Sequence, residues 1–193
     1  MIETVLDINR ELFLIINGTF HSTFTDTVMF IITQFGTGLP MAALIGVPLF
    51  FYDRKNFVRR FLIIVLAVAF GGALVNIIKN FVSYSRPLSE LMGLIATGSV
   101  KVYVFIEDSR HHSFPSGHAQ LAFGSVIALS WYYRGWYTLP LFVLATLVGI
   151  SRIYLGIHFP LDVVVGAFLG GVVSALVCWG GERIFSKSPE VEE

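Results

Sequence analysis

The sequence predicts an all-α fold, an integral membrane bundle of five to six transmembrane helices. Three observations carry that prediction. Hydrophobic residues make up 55% of the 193-residue chain and charged residues only 13%, where a soluble domain carries about 25%. The mean hydropathy is +0.75. Uncharged runs recur that approach the about 20 residues a helix needs to cross a bilayer. This composition excludes an ordinary soluble globule and a long disordered region. The 13 basic and 13 acidic residues cancel and no basic run occurs, so nucleic acid is not an expected partner. The single cysteine, Cys178, excludes an internal disulfide framework and a Cys-based metal site, and is expected to be a small packing residue. Eighteen glycines suit helices that pack closely in lipid. The whole chain, 1–193, is expected to be one membrane-embedded domain.

The first 22 residues mix Val5, Leu6, Leu12, Phe13, Ile15 and Ile16 with Glu3, Asp7, Arg10 and Glu11. That mixture fits an amphipathic helix lying at the interface, with a first spanning helix as the alternative. The segment is acidic and has no basic n-region, which argues against a cleaved signal peptide. Thr27 to Tyr52 is uncharged but interrupted by Gly36, Thr37, Gly38 and Pro40, the pattern of a kinked or broken span. Phe61–Ile78, Pro115–Tyr133, Gly135–Ser151 and Val163–Gly181 are the firm spans. Arg54, Lys55, Arg59, Arg60, Arg134, Arg183 and Lys187 all fall on one face if the spans alternate. By the positive-inside rule that face is cytoplasmic.

The opposite face receives the 88–113 loop, read as extracytoplasmic. It contains a short helix over Leu88–Ala96, a strand-like stretch over Val100–Ile106 and a polar tail, Glu107 to His112. His111 and His112 with Glu107 and Asp108 could form a metal site. Adjacent histidines in a loop seldom converge on one ion, so a solvated loop that shapes substrate choice is the better reading.

Three polar clusters fall on that same face. In the first, Lys79 lies near the end of a span and Arg86 two helical turns later, with Pro87 stopping the helix. Two cations on one side suit a dianion, although snorkelling side chains at the interface look the same. In the second, Ser113-Phe114-Pro115-Ser116-Gly117-His118, Pro115 suits a first helical turn. Backbone N–H groups near Ser116 and Gly117 make an anion site, and Gly117 lets a ligand approach closely. A plainly capped helix start explains the Pro and Ser but not His118. In the third, His158 and Asp162 stand four apart around a helix start at Pro160, and Arg152 adds a planar fork for phosphate oxygens. A structural His–Asp pair is the alternative there. Together the clusters hold the parts for phosphoryl transfer through a covalent intermediate.

At this point the sequence resembles the type-2 phosphatidic acid phosphatase family, which includes the vanadium haloperoxidases. Its motifs are Lys79 with Arg86-Pro87, Pro115-Ser116-Gly117-His118, and Ser151-Arg152 with His158 and Asp162. All three match at every defining position and in order. The resemblance implies a haloperoxidase-like helical core and a metal-independent lipid phosphate phosphatase without cofactor. His158 would be the nucleophile, Asp162 its orienting carboxylate and His118 the general acid. Lys79, Arg86, Ser116, Gly117 and Arg152 would hold phosphate. The substrate would be a membrane lipid such as phosphatidylglycerol phosphate, phosphatidic acid, undecaprenyl pyrophosphate or lipid A 1-phosphate. The implied location is the cytoplasmic (inner) membrane, with the site on the extracytoplasmic side and no obligatory protein partner. A lipid-to-lipid phosphotransferase would use the same residues. A non-enzymatic phosphate-lipid carrier would need the cations but no nucleophile.

Overall fold

The computed structural model describes residues 2–19, 21–105, 112–136 and 138–186. The described chain is all-helical: α1 (Ile2–Gly18), α2 (Thr23–Gln34), α3 (Gly38–Tyr52), α4 (Phe57–Phe81), α5 (Pro87–Glu90), α6 (Met92–Ala96), α7 (Gly117–Tyr132), α8 (Thr138–Tyr154) and α9 (Pro160–Ser186). Helices α4, α7 and α9 pack on one another, and α8 closes against α7.

Two described helices are long and apolar enough to cross a membrane alone, Phe57–Phe81 and Pro160–Ile184. The α2–α3 pair passes the same test only when taken together, as a broken span or a re-entrant loop, and is bent by 71° at its break, where the sequence predicts a kinked or broken span. Helices α7 and α8, 16 and 17 residues long, run beside these spans. Helix α1 is not among the helices that can cross.

Helix α9 shows how the bundle lives in lipid. Val164, Phe168, Val172 and Leu176 recur every four residues and are exposed. In water such a stripe would aggregate; against lipid tails it is at home. Gly166, Gly170, Ser174 and Cys178 form the opposite stripe, which is buried. A Cβ on Gly166 would collide with the Ser116 carbonyl, and one on Gly170 with the Gln120 carbonyl. Small residues therefore let α7 and α9 approach backbone to backbone, which is how helices associate where burial from water contributes little.

Two local expectations are corrected. Residues 100–104 form no strand. Their polar groups turn to side chains and a helix end: Tyr103 donates its N–H to Asn17 Oδ1 at 2.9 Å and accepts from Asn17 Nδ2 at 2.8 Å. Phe105 N–H goes to the Leu155 carbonyl. Ile106 lies outside the described residues. Pro87 does not stop the helix that carries Lys79. Helix α4 has already ended at Phe81, and Pro87 opens α5, where a proline costs no hydrogen bond. The short helix expected over Leu88–Ala96 appears as α5 and α6.

Candidate active site

The C-termini of α4 and α8 meet the N-termini of α7 and α9 at one end of the bundle. The chain leaves α8 through a tight C-terminal turn. Gly156 adopts φ +77°, Gly156 N–H bonds to the Ile153 carbonyl, and Ile157 N–H bonds to the Arg152 carbonyl. This is the Schellman pattern, in which glycine takes the left-handed position. It reverses the chain and delivers His158 just before Pro160 restarts the helix.

His158 and Asp162 are 2% and 1% exposed. His158 Nδ1 lies 3.4 Å from Asp162 Oδ2. The same oxygen accepts from Phe159 N–H at 3.0 Å and Ser113 Oγ at 2.5 Å. Ser113 Oγ is also 3.3 Å from His158 Nδ1, so it bridges the pair. The Asp162 carbonyl accepts from Ser116 N–H at 2.9 Å, which ties the start of α9 to the start of α7. Burial pushes the His158 imidazole down to about 4, against the opposing pull of the Asp162 hydrogen bond. The positive charges of Arg152 and Arg86 push the same way as burial. As pH falls through the ordinary 6.5, His158 therefore stays neutral and keeps a nitrogen lone pair; it takes a proton only near 4.

The two arginines flank this loop. Arg86, 8% exposed, donates from an η nitrogen to the Ile157 carbonyl at 3.3 Å. Arg152, 5% exposed, donates to Thr33 Oγ1 at 3.0 Å. Lys79 sits in the last turn of α4, and its carbonyl lies 2.8 Å from His112 Nδ1.

At the start of α7 the sequence reading needs correction. Pro115 precedes the N-cap, Ser116, and is not in the first turn. Ser116 Oγ accepts from Ala119 N–H at 3.5 Å, and Ser116 N–H is used by Asp162, so that N–H cannot also meet an anion. A Cβ on Gly117 would meet only Val75 Cγ1, at 4.0 Å. Packing does not require glycine there. His118, the second residue of α7, packs on the α2–α3 break. A Cβ on Gly36 would come within 2.7 Å of its Cβ and Cδ2.

Sequence reasoning missed Ser113, Thr33 and Gly36. Ser113 stands two residues before the Pro-Ser-Gly-His run and was legible as a neighbour, not as a partner of Asp162. Gly36 was legible as part of a break but not as the contact of His118, and Thr33 had no sequence signal, because only the tertiary fold brings α2 to Arg152. No group of three or more His, Cys, Asp or Glu suited to a metal occurs among the described residues. The metal-site alternative at Glu107, Asp108 and His111 lies outside them.

Ser113→Ala is expected to lower kcat about tenfold to a hundredfold with little change in KM, since it removes one hydrogen bond to a charged carboxylate and no phosphate contact. Ser113→Thr should restore most of the loss. Steady-state kinetics of both variants check this; a KM effect alone would contradict it.

Fold and comparisons agree on the class, a membrane-embedded lipid phosphatase. Residues 60–185 match the family model described as the PAP2 superfamily. The chain belongs to that superfamily, as its motifs implied. It is 30% identical over 189 residues, 94% of this chain and 88% of the relative, to a putative undecaprenyl-diphosphatase of Escherichia coli (strain K12). It is 32% identical over 177 residues, covering 89% and 76%, to a lipid A 4'-phosphatase of Bacteroides thetaiotaomicron. Among solved structures, Aquifex aeolicus LpxE superposes with a TM-score of 0.69 at 30% identity, covering 86% of this chain and 92% of that one. A PAP2 type phosphatidylglycerolphosphate phosphatase from Bacillus subtilis gives 0.72 at 24% identity, covering 98% and 90%, a likeness of fold alone.

Proposed function

We propose that this protein removes a terminal phosphate from a membrane lipid, a phosphomonoester or a pyrophosphate, by two displacements at phosphorus. The observation that carries the proposal is the buried, neutral His158 with Nδ1 facing Asp162, because it presents Nε2 as a nucleophile of fixed tautomer. Nε2 attacks phosphorus, an N–P bond forms and the P–O bond to the lipid breaks. His118 gives its proton to the departing oxygen. Water then attacks the phosphohistidine, His118 takes its proton, and the N–P bond breaks to free phosphate. Arg86, Arg152 and Lys79, with the Gly117 amide, hold the non-bridging oxygens as charge moves onto them. Ser116 supports this cradle by capping α7 rather than through its own N–H.

The site is proposed to face the extracytoplasmic side of the cytoplasmic membrane. Arg60, at the start of α4, and Arg183, near the end of α9, line one hollow at the far end of the bundle, which supports placing the basic loops together on the other face. Relatives named as undecaprenyl-diphosphatases and as a lipid A 4'-phosphatase support both a pyrophosphate and a phosphomonoester as substrate classes.

The test is phosphate release by purified protein in micelles with EDTA present. Undecaprenyl pyrophosphate, lipid A, phosphatidylglycerol phosphate and phosphatidic acid form the panel. Release that persists in EDTA and is blocked by vanadate, which imitates five-coordinate phosphorus, is the expected result. Loss of activity with EDTA, restored by a divalent cation, would contradict it.

A further inference from the structure

The end of the bundle remote from His158 holds a polar hollow that the proposed reaction does not use. Its volume is about 500 Å3, and Arg59, Arg60, Tyr132, Trp179, Glu182 and Arg183 line it. Arg60 and Lys79 stand near opposite ends of α4, about 28 Å apart at 1.5 Å per residue. That is close to the about 30 Å of a hydrocarbon core, so the hollow lies at the headgroup level of the other leaflet.

Arginines at this end are expected from topology alone, but there they would fan out along the membrane surface. Here they are held around one hollow. The Arg183 guanidinium lies 4.1 Å from the Trp179 ring centroid. Arg60 lies 5.4 and 5.0 Å from the Tyr132 and Tyr133 rings and is paired with Asp53 at 2.6 Å. Arg59 donates to Asn56 Oδ1 at 3.2 Å. Among the described residues, three arginines stand here with two carboxylates, Asp53 and Glu182. One buried polar atom beside the hollow, Arg60 Nε, has no hydrogen-bond partner among the described residues. Such a group is rarely left unmet. Beside it Val58 and Leu62 are 65% and 54% exposed and offer a surface for acyl chains.

We propose that this hollow binds a phosphate anion on the face opposite the active site, with Arg59 and Arg183 as its donors. The phosphate is carried by an anionic phospholipid headgroup or comes from solution. Occupancy would tie together the ends of α4, α7 and α9, the helices whose other ends build the active site.

The experiment uses full-length His158→Ala protein, so that its outcome is independent of the catalytic reading. Native mass spectrometry and thermal unfolding are recorded with phosphatidylglycerol, with phosphatidylcholine and with inorganic phosphate. The expected result is one phosphatidylglycerol retained per chain and a raised Tm. Affinity should fall about tenfold in Arg59→Gln/Arg183→Gln, the equivalent of one charge-assisted hydrogen bond. Glu182→Gln removes the opposing carboxylate and should bind more tightly, a gain that misfolding cannot produce. An equal Tm rise with inorganic phosphate, lost in the same double variant, would assign the anion to solution and keep the site. Binding unchanged in the double variant, no preference for phosphatidylglycerol together with no response to phosphate, or no gain in Glu182→Gln would overturn the proposal.

Discussion

The His158→Ala variant is expected to release no phosphate above background, a loss of about 10⁴-fold or more in kcat. Two displacements need a nucleophile, and alanine offers none. The arginines flanking the loop remain, so lipid should still bind. The residual rate should therefore fall without a matching rise in KM. The variant should also stay folded. The His158 backbone N–H bonds to the Arg152 carbonyl at 3.2 Å, and alanine keeps that bond. Removing a buried imidazole whose protonation is disfavoured should extend stability towards acid. In the parent, the unfolded chain takes up a proton below 6.5 while the folded one waits until about 4, so folding weakens over that range. Steady-state rates together with Tm at several pH values check both halves.

Asp162→Asn is expected to cost about 10³- to 10⁴-fold in kcat while the protein stays folded. The asparagine oxygen can still accept from Ser113 Oγ and Phe159 N–H, the bonds that hold the start of α9. The negative charge that stabilises the imidazolium developing at His158 is lost. Asp162→Ala should do worse, because it leaves those two donors unmet inside the bundle. Circular dichroism with kinetics separates the two variants. Full activity in Asp162→Asn would show that the pair holds α9 in place and does nothing to the ring.

Most of the bundle was legible in the chain, because lipid imposes a simple rule. A run without charge must become a helix, and Phe61–Ile78 and Val163–Gly181 lie inside α4 and α9. The α2–α3 break was legible from Gly36, Gly38 and Pro40. What failed was local: backbone groups found partners other than those the sequence assigned to them. Asn17, buried in α1, takes both polar groups of Tyr103, so a β-like run has no partner strand. Asp162 uses its backbone carbonyl to take Ser116 N–H, so part of the expected anion nest is already closed. His158, Asp162, Arg86 and Arg152 were legible because their spacing is local and their chemistry unusual in a membrane. The contacts of Ser113, Thr33 and Gly36 were not, because each joins a residue far away in sequence.

The central claim is that phosphate passes through His158. It is tested most directly by trapping the intermediate in the His118→Ala variant, which lacks the base proposed to activate water. The substrate should be a phosphoryl compound whose leaving group needs no proton. After an alkaline quench, proteolysis and mass spectrometry should find one phosphoryl group on the peptide that carries His158. The same treatment of the His118→Ala/His158→Ala double variant should find none. A phosphoryl group on any other residue, or turnover by the single variant with the His158 peptide never modified, would contradict the account.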